Sequence, residues 1–569
     1  MAILDQSKYN YLLEQNKSYM DCIALSFEGQ KITYEEFHEN INKYANVLRS
    51  KGIKAGDKVG VCVVNTPESV YILYALDVLG ATVIGLNPFD NEVRIRNDIE
   101  LTRPSVIISV DLVGKTFKKF EDEFGYDTYV YPLMNSSKKL IPRVVYNFRK
   151  LKQGNFSLSR LNNLSLMANS ESNCVLKQGV YVPNLTTDIM FTGGSTGSHK
   201  GVELDGSGLN YVVESSKEAY DFEPGMIYLG NIPVGNMCFG KAVMHMTLCN
   251  NMEFALTMKM MPEDFYEEIV RTRANCAAGG PPHWMSLLSK NNEGFIVNPK
   301  VKQGSLSFLK YAGSGGENLK HKAEVAINGA LQYAGSDTRL GNGYGATEAW
   351  SCMILNTGRN ATPGTLGNKM SCLTFKIVDP FTFEVVKPGQ NGLLLVSGKS
   401  IMKGYYENED ETNDVFITDE NGIVWYNTGD IICELSNGEY KYVDRVKRSF
   451  VCGIENIYPE VIEGLLLQIP EIREVVVTKV SDDEKQYIPK YTISVYNYNF
   501  DTKKLESRIK ELILSNLSSS WLPGDENDFI EYTDQPLRRM SNDKIDINFY
   551  QRKTNEQFST KNPKRKVLE

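Results

Sequence analysis

Asp57-Lys58-Val59-Gly60-Val61-Cys62-Val63-Val64 is a short, valine-rich apolar run that reads as a strand. A helical segment follows over residues 67–79, and Thr82-Val83-Ile84-Gly85-Leu86 is strand-like again. Strand, helix and strand in alternation predict an α/β layer on a parallel sheet. Residues 71–86 are the most apolar stretch, but 16 residues interrupted by Asp77 fall short of the ~20 that a membrane span needs. They predict a buried helix and strand. Upstream, Thr33 precedes Glu36 by three residues, a capping-box spacing, and Phe37, Ile41, Tyr44, Ala45 and Leu48 then recur at helical intervals.

The alternation continues to about residue 350 through Gly-rich turns. Over residues 364–442 it gives way to short β runs (374–378, 393–396, 440–443) between turns such as PGQNG and LSNGE, which predict a small sheet or distorted barrel. Beyond Val443 the pattern is mixed again, with a helix near 459–468 and strands near 475–480 and 491–495. The predicted organisation is therefore α/β: an N-terminal domain over 1–443, made of layered α/β subdomains with a β-barrel-like part, a hinge at 444–447, and a small α+β domain over 448–569.

With 569 residues, 42% hydrophobic and 23% charged, the chain has ordinary globular composition and enough length for several cores. Its ten cysteines include no CxxC pair, which argues against zinc ribbons and redox dithiols. The start, MAILDQSKYNYLL, lacks a signal-peptide layout, so the expectation is a reduced, cytoplasmic setting. The net charge of -8 disfavours a nucleic-acid-binding surface. One basic stretch stands out at 138–152 (KKLIPRVVYNFRKLK), where Leu140, Ile141, Val144, Val145 and Phe148 share a helical face among six cations. Such a helix can lie peripherally on the inner, anionic face of a membrane or pack on the protein with its cations in water; Pro142 weakens both readings.

Chemistry concentrates first in Phe191-Thr192-Gly193-Gly194-Ser195-Thr196-Gly197-Ser198-His199-Lys200-Gly201. Glycines let a backbone turn tightly around an anion, Thr192, Ser195 and Thr196 offer hydroxyl donors, and Lys200 adds a cation. By composition this is a polyphosphate cradle. It is not a Walker loop, which needs Gly directly before Lys. It also matches the GxSxG elbow of serine hydrolases, but an elbow turns straight into a helix, whereas Gly201-Val202-Glu203-Leu204 reads as a second strand, with helix only from about Leu209.

With this loop, the chain resembles the adenylate-forming enzymes, which include acyl-CoA synthetases, luciferases and nonribosomal peptide adenylation domains. Further motifs follow in that family's order: Ile32-Thr33-Tyr34 with Gly56-Asp57-Lys58-Val59, Asn342-Gly343-Tyr344-Gly345-Ala346-Thr347-Glu348, Tyr426-Asn427-Thr428-Gly429-Asp430, Asp444-Arg445-Val446-Lys447 running into Gly453-Ile454-Glu455-Asn456-Ile457-Tyr458-Pro459-Glu460, and Asn542-Asp543-Lys544-Ile545-Asp546. The resemblance spans residues 25–550. It implies phosphate contacts from Thr192, Gly193, Gly194, Ser195, Thr196, Gly197 and Lys200, and adenine contacts from Gly315, Gly316, Glu317, Asn342 and Tyr344. It implies Thr347 and Glu348 at Mg2+, Asp430 and Arg445 at the ribose, Lys447 as hinge, Gly453 beside the thiol and Lys544 as the catalytic lysine of a mobile C-terminal domain. The acyl pocket would take in Gly235, Asn236, Gly240, Gly313 and Trp350, with the glycines leaving room for the acyl chain or equally serving backbone turns.

The residue chemistry agrees with these roles. Tyr344 offers a ring face to a purine, Asn342 an amide, Glu348 a hard oxygen ligand, and Asp430 an acceptor for both ribose hydroxyls. A cation at 544 would lower the repulsion between a carboxylate and the α-phosphate it attacks. The sequence departs from the family pattern at Asp543, where glycine is usual, at Asp444, at Pro536, eight positions before Lys544, and at Asn236, where histidine or an aromatic is usual.

No acid lies between Pro233 and Gly240 to hold a substrate ammonium, which disfavours amino acids. The expectation is a fatty acyl-CoA synthetase-like ligase for a medium- or long-chain acid, with ATP, Mg2+ and CoA. The alternatives are a ligase loading an acyl or aryl acid onto an acyl carrier protein's phosphopantetheine, and a catalytically silent nucleotide-binding or scaffold protein. Lys200, Glu348, Asp430, Arg445 and Lys544 together argue against the last.

Overall fold

The computed structural model describes residues 4–138, 162–171, 178–192, 200–291, 294–317, 319, 321–357, 362–453, 455–482, 484–496, 501–524, 529–539 and 545–561. Its first part alternates strands with helices. In chain order the strands are β1 (Ile23–Phe27), β2 (Gln30–Thr33), β3 (Lys58–Cys62), β4 (Thr82–Gly85), β5 (Val106–Val110), β6 (Asp127–Tyr131), β7 (Asp188–Phe191), β8 (Gly201–Leu204), β9 (Ile227–Gly230), β10 (Glu253–Leu256), β11 (Cys276–Gly279), β12 (Leu288–Asn291), β13 (Gly294–Val297), β14 (Tyr311–Ser314) and β15 (Leu340–Asn342). After these come β16 (Ile354–Leu355), β17 (Asn368–Lys369), β18 (Leu373–Val378), β19 (Asn391–Gly398), β20 (Gly404–Tyr405), β21 (Phe416–Thr418), β22 (Val424–Glu434) and β23 (Tyr440–Arg445).

Two seven-stranded sheets organise the N-terminal part, in the orders β15-β14-β11-β9-β10-β1-β2 and β20-β8-β7-β4-β3-β5-β6. The first is parallel from β15 through β1 and the second from β7 through β6; β2, β8 and β20 add antiparallel edges. The predicted alternation at 57–86 is the centre of the second sheet: β3 and β4 are parallel neighbours joined by helix Pro67–Leu79. All 13 residues of that helix are buried, which is why it is apolar all round rather than on one face. One continuous core runs from this helix to both sheets. Helix Tyr34–Ser50 starts at the predicted capping box, with Thr33 Oγ1 accepting from Glu36 N–H and the Glu36 carboxylate from Thr33 N–H. Among the described residues no helix is long and apolar enough to cross a membrane.

The β-rich stretch forms an antiparallel five-stranded sheet. β22 pairs with β19 along one edge; on the other it pairs first with β21 and then with β23. The C-terminal part contains β24 (Phe450–Cys452), β25 (Glu455–Ile457), β26 (Ile472–Asp482), β27 (Gln486–Val495) and β28 (Ile530–Thr533), in the order β25-β24-β27-β26 with β28 on β27, and helices Pro459–Leu466, Thr502–Asn516 and Ile547–Lys561. Its apolar face joins that of the five-stranded sheet: Trp425, Ile431 and Val443 belong to one core with Phe450, Ile457 and Ile462.

Candidate active site

In open parallel sheets ligands gather outside the carboxyl ends of the strands. Here β14 and β15 end side by side at Ser314 and Asn342, and Gly343 N–H bonds Ser314 O at 2.7 Å. Gly315, Gly316 and Glu317 follow β14, and Gly316 takes φ +82°, a conformation that favours glycine. Asn342 is buried and its Oδ1 has no hydrogen-bond partner. An acceptor held there suits an exocyclic amino group such as adenine's. Gly345 is fixed by space, since a Cβ would fall 1.5 Å from Ser351 O.

Tyr344 reaches across to the five-stranded sheet, and its hydroxyl donates to Asp430 Oδ2 at 2.6 Å. Asp430 follows Gly429 (φ +68°) in β22 and lies opposite Arg445 of β23, whose Nε stands 3.0 Å from Asp430 Oδ1. Burial raises the Asp430 carboxyl above the usual carboxylate range, with Arg445 and the Tyr344 hydroxyl opposing. Tyr344 is raised well above a free phenol by burial and by this carboxylate. Three residues quoted from three separate motifs thus come together around one buried carboxylate, that of Asp430.

Strands β7 and β8 pair antiparallel on either side of the glycine-rich segment, with Thr192 N–H bonding Lys200 O at 3.0 Å. Residues 193–199 lie outside the described residues, so the placement concerns Thr192 and Lys200 alone. Lys200 forms an ion pair with Glu411 and sits over the Tyr405 ring, 4.6 Å from its centroid. The Tyr405 hydroxyl donates to Glu348 Oε1 at 2.9 Å. Strand β20 makes this arrangement by pairing with β8, Tyr405 opposite Val202. Tyr405 and Glu411 were missed by motif reading. The available signal was Asn408 three residues before Glu411: Asn408 caps helix Glu409–Val415, accepting from Glu411 N–H. Glu348 lies in the short turn Thr347–Ala349. Among the described residues no group of three or more His, Cys, Asp or Glu gathers to hold a metal. One carboxylate completed by phosphate oxygens and water is a donor set that suits Mg2+.

The room expected at the acyl-pocket glycines is largely occupied. A Cβ at Gly240 would lie 2.1 Å from Pro233 O and one at Gly235 2.6 Å from Val63 Cγ2, so these glycines let backbone and side chain approach closely. Gly313 is less confined, with Ala278 Cβ at 3.6 Å. Trp350 is buried, and its indole N–H donates to Asp205 O at 2.7 Å. Asn236 Oδ1 is buried without a partner.

Beneath this region lies a charge cluster that no motif announced. Asp188, at the start of β7, is fully buried between Lys8 and Lys241, and Lys8 also approaches Asp77 at 3.6 Å. Burial alone would raise the Asp188 carboxyl, but Lys241 and Lys8 hold it well below the usual range.

Lys447 is exposed in the turn after β23, and Gly453 (φ +66°) turns the β24–β25 hairpin. Lys544 and Asp543 lie outside the described residues, as does the basic stretch at 138–152 apart from Lys138.

The family model for AMP-binding enzymes matches residues 12–406. A long-chain-fatty-acid–CoA ligase of Bacillus subtilis (strain 168) is 26% identical over 527 residues, covering 89% of each chain. 4-Coumarate–CoA ligase 1 of Arabidopsis thaliana is 24% identical, covering 89% of this chain and 86% of its own. The crystal structure of ATP-bound MatB from Rhodopseudomonas palustris superposes with a TM-score of 0.77 at 18% identity, covering 97% of this chain and 99% of that one.

Proposed function

This chain belongs to the AMP-binding enzyme family, and on that premise we propose that it is an acid–thiol ligase that activates a carboxylic acid with ATP and passes the acyl group to CoA. In the first half-reaction the acid's carboxylate attacks the α-phosphorus of ATP, giving acyl-adenylate and pyrophosphate. In the second the CoA thiol attacks the acyl carbon, giving the thioester and AMP. The observation that carries this reading is the buried Asp430 carboxylate held by Tyr344 and Arg445, with the unpartnered Asn342 Oδ1 two residues before Tyr344. A purine on Asn342 and a ribose diol on Asp430 would satisfy both.

On this reading Thr192, Lys200 and the loop between them hold the phosphates. Mg2+, held by Glu348 with Thr347 beside it, would neutralise phosphate charge. Lys544 would bridge the carboxylate and the α-phosphate, and the C-terminal part would turn about Lys447 to bring the Gly453 segment to the thiol. The B. subtilis relative supports a medium- or long-chain fatty acid, and the plant relative brings aryl acids into the same range. Residues 138–152 would be the point of peripheral membrane contact, and the setting cytoplasmic.

Isotopic pyrophosphate exchange with a panel of fatty, aryl and amino acids tests this. Exchange with fatty or aryl acids, with thioester formed when CoA is added, is expected. A thioester formed only with carrier protein would move the acceptor, and no exchange with any acid would remove the adenylation reading. The motif also makes a specific expectation: Lys544→Ala abolishes adenylate formation, while a preformed adenylate is still converted to thioester.

A further inference from the structure

The carboxyl edge of the first sheet carries more unpartnered polarity than a purine needs. Strand register sets Cys276 of β11 beside Tyr228 of β9, Ser314 of β14 beside Gly279 of β11, and Asn342 beside Ser314. Carried along the strand, the β9–β11 offset brings the end of β9 at Gly230, and Asn231 just past it, to the carboxyl edge where β11 ends at Gly279. Gly279, Ser314 and Asn342 form one row across three neighbouring parallel strands, and Asn231 stands at the same edge, one residue beyond the end of β9. Gly279 has no side chain, and the His283 ring covers it, with His283 Cγ 2.9 Å from where a Cβ would stand.

Along this edge five buried side-chain atoms have no hydrogen-bond partner: both amide atoms of Asn231, Nδ1 of His283, Oγ of Ser314 and Oδ1 of Asn342. Asn231 is the extreme case, 2% exposed with donor and acceptor both unused. Buried polar groups are nearly always paired, so a run of unpaired ones at a ligand edge marks a surface made for polar contact. Three strand spacings separate Asn231 from Asn342, about 14 Å, beyond the reach of a purine seated on Asn342. Asn231 also leads directly into the segment 233–240, where the acyl pocket is expected, and Asn236 Oδ1, five residues on, is likewise unpartnered.

We propose that Asn231 is a specificity-determining residue that hydrogen-bonds a neutral polar substituent, a hydroxyl, oxo or carboxamide group, on the acyl part of the substrate. The proposal rests on the ligase reading and narrows its substrate class. A neutral amide offers a donor and an acceptor face that such a group can use together, and it brings no charge to balance a buried second carboxylate or an ammonium. An unsubstituted alkyl chain would leave both amide atoms dehydrated and unpaired, and sites built to hydrogen-bond a substituent discriminate strongly against analogues that lack it.

The test is pyrophosphate exchange with chain-matched pairs of acids, fatty and aryl, each with and without a hydroxyl, oxo or carboxamide group. The wild-type protein should favour the best substituted acid over its plain counterpart by about ten-fold or more in kcat/KM. Asn231→Leu should bring that ratio close to one and raise the melting temperature of the ligand-free protein, because it removes an unpaired buried amide. Asn231→Ala, which leaves space in place of a larger apolar side chain, should also lose the preference. A wild-type ratio near one, or a preference retained in both variants, would overturn the proposal while leaving the ligase reading intact. So would a fall in melting temperature in both variants with equal loss on every acid, the signature of a purely structural Asn231. Exchange with no acid at all would overturn the ligase reading and this proposal with it.

Discussion

At the residue scale the site is held by a few hydrogen bonds whose loss has separable effects. Asp430→Asn keeps the size but loses the charge that Arg445 and a ribose diol would share. Charge-assisted bonds are worth about 1.5–3 kcal/mol, so exchange should fall ten- to a hundred-fold with the fold intact; unchanged exchange would move the ribose elsewhere. Tyr405→Phe keeps the ring under Lys200 but removes the hydroxyl that holds Glu348. Residues that orient a metal ligand typically affect metal affinity by about ten-fold or more, so half-saturation by Mg2+ should rise by that order while the ATP-independent melting temperature stays put. An unaltered Mg2+ curve would detach Glu348 from the metal. Asp430, Arg445, Tyr344 and Glu348 were legible because each sits in a short motif whose order along the chain is informative. Tyr405, and Asn231 under the proposal above, leave no such local spacing: the first is set by an edge strand paired far along the chain and the second stands just past a strand end.

At the scale of elements, what could be read depended on whether the cause was local. The apolar run at 57–64, the capping box at Thr33 and the β runs after Gly364 gave strands and a helix close to their observed ends, because β-branching, alternation and capping act over a few residues. Sheet order was not legible, since each neighbour is chosen by packing between distant segments. The Lys8–Asp77–Asp188–Lys241 cluster is likewise non-local, drawn from four separate segments. Asp188→Asn would leave two buried ammonium groups short of a carboxylate, and breaking such a buried group costs about 3–5 kcal/mol; chemical denaturation should show this loss. Lys241→Met together with Asp188→Asn should recover part of it. Gly240→Ala separates two roles for that glycine. If Gly240 only made acyl room, alanine would shorten the preferred acyl chain at constant stability. With a Cβ 2.1 Å from Pro233 O, the expected result is a stability loss of about 2 kcal/mol or more with every acid affected.

At the scale of the whole molecule, two buried imidazoles shape the response of stability to pH, and one turn joins the N- and C-terminal parts. Burial lowers His38 to about 4 and His245 to about 3, with the Lys8 charge adding to the effect at His245. His245 sits between the Tyr74 hydroxyl at 2.8 Å and Asn210 Oδ1 at 3.0 Å, a pairing that suits the neutral ring. The unfolded chain binds protons first as pH falls through about 6.5, so both groups contribute stability that is whole above that pH. It is lost progressively toward pH 4 and 3, at up to about 1.4 kcal/mol per pH unit for each. Urea midpoints should therefore fall between pH 6.5 and 4.5, and His245→Gln should flatten the slope; a slope unchanged in that variant would show that other groups set it. The turn at 446–449 is where the two parts of the molecule meet. Across it, Glu460 N–H donates to Asp444 Oδ2 at 2.8 Å, and Arg448 reaches back to Asp444 and on to Glu463. One core also spans this junction, so a C-terminal part that turns must exchange these contacts for others, and the change in backbone angle has to fall where no ladder bond opposes it. Lys447 is exposed and follows the last β23 residue by two positions. Lys447→Pro would fix φ near -65° and restrict Val446 as well. If the two half-reactions need two backbone states at this turn, the variant should keep pyrophosphate exchange within a few-fold of wild type and lose thioester formation by a hundred-fold or more, measured by supplying preformed acyl-adenylate with CoA. Thioester formation at the normal rate would show that the pivot lies elsewhere, and parallel loss of both half-reactions with a lowered melting temperature would make the turn structural.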